Sequence, residues 1–109
     1  MMNNEKNTYI LFINTSSNKE ITIGLEINGE KDEITKVLES HRDQVVLPLI
    51  LELLQTHGLQ ITDLTGITVD TGPGSFTGLR VGVSVANALS YALQIPVNGL
   101  NTPVEPSYS

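Results

Sequence analysis

The stretch Ile67-Thr68-Val69-Asp70-Thr71-Gly72-Pro73-Gly74-Ser75-Phe76-Thr77-Gly78-Leu79-Arg80 decides how the chain is read. A short β-branched run, a glycine-rich turn and the start of an apolar-periodic segment spell strand, loop and helix. That succession aims backbone N–H groups outward at a helix N-terminus, where an anion can sit. The glycines equally suit a tight turn with close packing of helix on strand. Neither familiar phosphate-loop pattern is met. No Lys follows a glycine at Walker A spacing, and after Gly72 and Gly74 the third glycine, Gly78, comes one residue late for the dinucleotide fingerprint. The candidate anion-binding residues are therefore Gly72, Gly74, Ser75, Thr77 and Gly78.

Upstream, Thr8 to Ile13 is apolar and β-branched with almost no polar break, which predicts a strand buried on both faces. Ile21 to Ile27 alternates with period two, and Asn28-Gly29 is a two-residue hairpin signal leading to a third strand from Lys31 to Leu38. Ser40-His41-Arg42-Asp43 can form a capping box for a helix that runs to Gln55 and closes near Gly58, its start delayed or kinked by Pro48. Downstream of the loop, a second helix is expected from Leu79 to Gln94, then a last strand beginning at Ile95-Pro96-Val97 and a frayed tail from Asn101 to Ser109. The order β-β-β-α-β-α-β predicts one α/β domain with a mixed five-stranded sheet, the helices supplying the crossovers that parallel strands need.

Length and charge bound the function. The chain has 109 residues, the size of one domain. Twelve acidic residues against six basic ones, a net charge of -6, make it a poor ligand for nucleic acid by itself. It has no cysteine for a disulfide or thiolate metal site. No signal-peptide or membrane-spanning run is present, so a cytoplasmic location is expected. His41 and His57 stand far apart in sequence, with no acidic partner in register. No catalytic residue, metal site or cofactor is expected.

The helices suggest an interface instead. The first is apolar nearly all round, so a second cover beyond its own sheet is expected, with Val46, Ile50 and Leu53 at the contact. The second carries a row of small residues at spacing four, Gly78, Gly82, Ala86 and Ser90, beside a row of Val81, Val85, Leu89 and Leu93, through which another helix can approach closely. The alternative is that the row faces the sheet. The excess of apolar surface favours the interface.

The string GPGSFTGLR, followed by Val81-Gly82-Val83 and later Gln94-Ile95-Pro96-Val97, resembles the hallmark of the TsaB (YeaZ-like) family. Leu11 to Ser16, His41-Arg42-Asp43-Gln44 with Leu47-Pro48, and Leu64 to Val69 are similar to further family segments in the same order. The resemblance implies an actin-like ATPase (ASKHA, ribonuclease H-like) lobe. It further implies a non-catalytic partner in tRNA threonylcarbamoyladenosine modification that docks on a TsaD-like protein, engages a TsaE-like ATPase indirectly, and forms a homodimer when alone. Residues 1–109 then correspond to a single N-terminal lobe with an ordered core over about 8–100, the family's C-terminal lobe being absent. Asn14 stands where the resemblance implies an Asp, which weakens the alternative of a nucleotide-binding enzyme that uses the loop at 72–80.

Overall fold

The computed structural model describes residues 7–38 and 45–108. Strands β1 (Tyr9–Asn14), β2 (Glu20–Ile27) and β3 (Glu30–Val37) form an antiparallel meander. Helix α1 (Val46–Thr56) crosses to β4 (Gly66–Val69), which pairs in parallel with β1, and helix α2 (Phe76–Leu93) follows. The sheet order is β3-β2-β1-β4. At the hairpin, Asn28 and Gly29 take φ values of 51° and 95°, the left-handed pair that lets two tightly twisted strands join through two residues.

Period two along the strands makes the core. Leu11 and Ile13, Ile21, Ile23 and Leu25, and Ile67 and Val69 share one face of the sheet and are all buried. Both helices pack there: α1 lies mainly over β2, and α2 over β4 and β1. The expectation that β1 is buried on both faces is corrected. Its second face carries half-buried Phe12, with the Lys31 ammonium 3.9 Å from the ring centroid.

The sheet has four strands, not five. Val97 forms only a single parallel bridge to Ile67. Pro96 has no N–H to give a ladder, and the positive φ of Asn98 (52°) and Gly99 (76°) turns the chain back at once. The Asn98 side chain then stands in for the missing strand residue: its Oδ1 accepts from Val69 N at 2.8 Å and its Nδ2 donates to Val69 O at 3.1 Å.

Helix α2 begins three residues earlier than Leu79 because the Ser75 side chain caps it, accepting from Gly78 N at 3.2 Å. It ends where Gln94 turns left-handed at φ 57° and Ile95 N bonds back to Ser90 O. Pro48 lies in the first turn of α1, where its lack of an N–H costs nothing. The capping box expected at 40–43 lies outside the described residues. No described helix is long and apolar enough to cross a membrane.

Candidate functional site

The glycine loop is held from both sides. Asp70 N donates to Ile13 O, and Asp70 Oδ1 accepts from Gly72 N at 2.9 Å, an Asx turn that starts the loop. Ser75 N donates to Ser16 O at 2.8 Å, which pins the loop to the β1–β2 turn. A Cβ on Gly74 would meet Ser16 O at 2.7 Å and its Cβ at 2.8 Å, so only glycine allows this approach. Asn14 closes the neighbouring turn by accepting from Ser16 N at 3.0 Å and Ser16 Oγ at 2.7 Å.

Three N–H groups of the candidate anion loop therefore have partners inside the chain: Gly72 with Asp70, Ser75 with Ser16, and Gly78 with the Ser75 hydroxyl. Gly78 is buried, while Gly74 and Thr77 are exposed. These local bonds hold the strand-to-helix turn together. Among the described residues no three His, Asp or Glu side chains gather as metal ligands.

The residues expected at an interface divide by side of the helix. Val46, Ile50 and Leu53 are 0%, 0% and 2% exposed and pack in the core. Gly78, Gly82 and Ala86 are buried as well, with Gly82 pressed on Thr15. Leu89 and Ser90 are half-buried, and the Ser90 hydroxyl donates to Ile95 O. The small-residue row therefore faces the sheet. Its small side chains let α2 lie close on β1 and β4.

The opposite side of the helix is apolar and open. Phe76, Thr77, Arg80, Val81, Ser84 and Val85 line a groove of about 460 Å³ along the first half of α2. Phe76 is 57% exposed, with the Arg80 guanidinium carbon 5.5 Å from its ring centroid. On α1, Leu47 and Leu51 lie one turn apart and are 44% and 47% exposed. Of the groove residues, Val81 and Val85 were expected beside the small-residue row and Thr77 in the loop. Phe76, Arg80 and Ser84 and the two exposed leucines were not singled out, because buried and exposed positions on one helix look alike until the sheet beneath is known.

Comparison with known proteins places this architecture. A family model described as "TsaD: tRNA N6-adenosine threonylcarbamoyltransferase" matches residues 35–104. The chain is 33% identical over 92 residues to the tRNA threonylcarbamoyladenosine biosynthesis protein TsaB of Haemophilus influenzae, an alignment covering 84% of this chain and 39% of that protein. With TsaB of Escherichia coli it shares 30% over 93 residues, 85% of this chain and 40% of that one. The structure of YeaZ from Pseudomonas aeruginosa superposes with a TM-score of 0.77 at 30% identity, over 83% of this chain and 42% of the other. The chain thus spans about two fifths of the length of these relatives.

Proposed function

This chain belongs to the TsaD family of the matching model, and to its TsaB relatives along most of its length, and from that premise we propose that it serves tRNA threonylcarbamoyladenosine modification as a non-catalytic, cytoplasmic protein-interaction partner. Its occupant is a TsaD-like subunit, through which a TsaE-like ATPase is reached indirectly, or a second copy of the chain when alone. One observation carries the reading. In a protein of net charge -6, the outward side of α2 presents Phe76, Val81 and Val85 with Arg80 as the groove's one charged side chain. A contiguous apolar surface with an aromatic and an arginine has the composition of an interface core. The internal bonding of the glycine loop supports the non-catalytic part, since donors engaged at Asp70, Ser16 and Ser75 are not presented to a substrate.

The test is association. The chain is mixed with a TsaD-type protein of the same source, and also run alone, with mass read by light scattering. The wild type is expected to form the complex or a dimer. A Val81→Asp, Val85→Asp variant is expected to stay monomeric with unchanged circular dichroism. A wild type that neither dimerises nor binds the TsaD-type protein rejects the proposal, as does a folded double variant that still associates.

A further inference from the structure

Residues 101–108, which the sequence predicts as a frayed tail, are instead seated against α2. They run opposite to the helix, from its last turn to its first. Asn101, Thr102 and Pro103 border a cleft with Asn87 and Tyr91 of α2. Further along, Val104 is bound by Asn87, Ser107 N donates to Thr71 O at 2.6 Å, and the Tyr108 ring stacks on Phe76 with centroids 4.6 Å apart. An extended chain rising about 3.3 Å per residue and a helix rising about 1.5 Å per residue span similar lengths over these segments, so the contacts are mutually consistent.

The chemistry of the seat is that of backbone recognition. Asn87 Nδ2 donates to Val104 O at 2.9 Å, and Val104 N donates to Asn87 Oδ1 at 3.0 Å. A planar amide thus offers one residue the same donor and acceptor that a neighbouring strand would. Pro103 and Pro106 have no N–H and hold the residues before them extended, which leaves little conformational freedom to lose on docking. The two bonded N–H groups, of Val104 and Ser107, are those immediately after each proline. Gly72 makes room at the far end, because a Cβ there would collide with the Ser107 carbonyl. The Val104 side chain packs partly buried against the core, while Tyr108 remains 43% exposed.

We propose that this flank of α2 is a binding site for an extended, proline-containing peptide, filled in this chain by its own residues 101–108 as a displaceable strap. The seat is shallow and the segment adds no strand to the sheet, which places it among the locally opening parts of a fold. Because the strap is tied to Thr71, its release also frees one tether of the glycine loop.

Amide hydrogen exchange on the intact chain tests this without any partner, so the result is separate from the docking proposal. The amides of Val104 and Ser107 are expected to exchange at least about tenfold more slowly than in a synthetic peptide of residues 101–108. In Asn87→Ala the Val104 amide should return to the peptide rate while α2 stays protected. Should that variant lose α2, Ser107→Pro removes one anchor outside the helix and should speed exchange at Val104 alone. The peptide added in several-fold excess over about a millimolar, the effective concentration of a short tether, should accelerate exchange at the chain's own Val104. Peptide-like exchange in the wild type, protection that survives both substitutions, or indifference to added peptide would each overturn the assignment.

Discussion

Gly82 of α2 rests directly on Thr15, at the end of β1, so that the helix backbone and the threonine side chain share one contact surface. Thr15 is 0% exposed and its hydroxyl donates to Gly78 O, one turn before Gly82. A Cβ on Gly82 would run into Thr15 Oγ1 and stand 3.3 Å from both Thr15 Cβ and Cγ2. The buried hydroxyl is satisfied and the helix is held close to the sheet by the same pair of residues.

Gly82→Ala should therefore destabilise the domain by about 1–3 kcal/mol through overpacking, and Gly82→Leu by more, to the point of unfolding. Urea denaturation followed by circular dichroism reads both. A Gly82→Leu variant that remains as stable as the wild type would contradict the burial of this row.

Two neighbouring residues of α1 should respond very differently to the same change. Ile50 is 0% exposed and Leu51 is 47% exposed. Ile50→Ala should cost about 2–5 kcal/mol by transfer and cavity terms, whereas Leu51→Ala should stay within about 1 kcal/mol. Equal shifts in the urea midpoint would show that α1 is rotated from the orientation described.

Asn98→Ala should cost about 1–3 kcal/mol, since it strips the Val69 N–H and C=O of their partners at the edge of β4. Asn98→Asp retains the acceptor for Val69 N but loses the donor, and should fall between the two. Thermal unfolding gives the order, and an alanine variant as stable as the wild type would discount the pairing.

Mg·ATP is expected to bind no tighter than about millimolar, near -4 kcal/mol. The Asn14 side-chain oxygen is engaged by Ser16, and the N–H groups of Gly72, Ser75 and Gly78 are bonded internally. Calorimetric titration showing micromolar affinity would contradict this.

The first four strands, the Asn28-Gly29 hairpin, the glycine-rich loop and the existence of both helices were legible because each rests on neighbours in sequence: a period of two, a turn dipeptide, a run of glycines, an apolar-periodic segment. Which apolar residues lie outward was not legible. Both helices do carry exposed apolar side chains, but Val46, Ile50, Leu53, Gly78, Gly82 and Ala86, expected at a contact, are buried in the core. The tail was misread because local composition contains no record of Asn87, whose amide binds it 17 positions away in sequence.

By itself, then, the order of residues determined the first four strands, the existence of two helices and a mixed α/β sheet, all consequences of steric preference and hydrophobic period within a few residues, while the parallel pairing of β4 with β1 came from the tertiary structure. Tertiary structure alone decided which face of α2 lies on the sheet, where the fifth strand fails, and that residues 101–108 are seated. Those outcomes depend on groups such as Thr15 and Gly78, 63 positions apart, meeting in space. A helix with apolar residues on more than one side has no inward face until the surface it packs on exists.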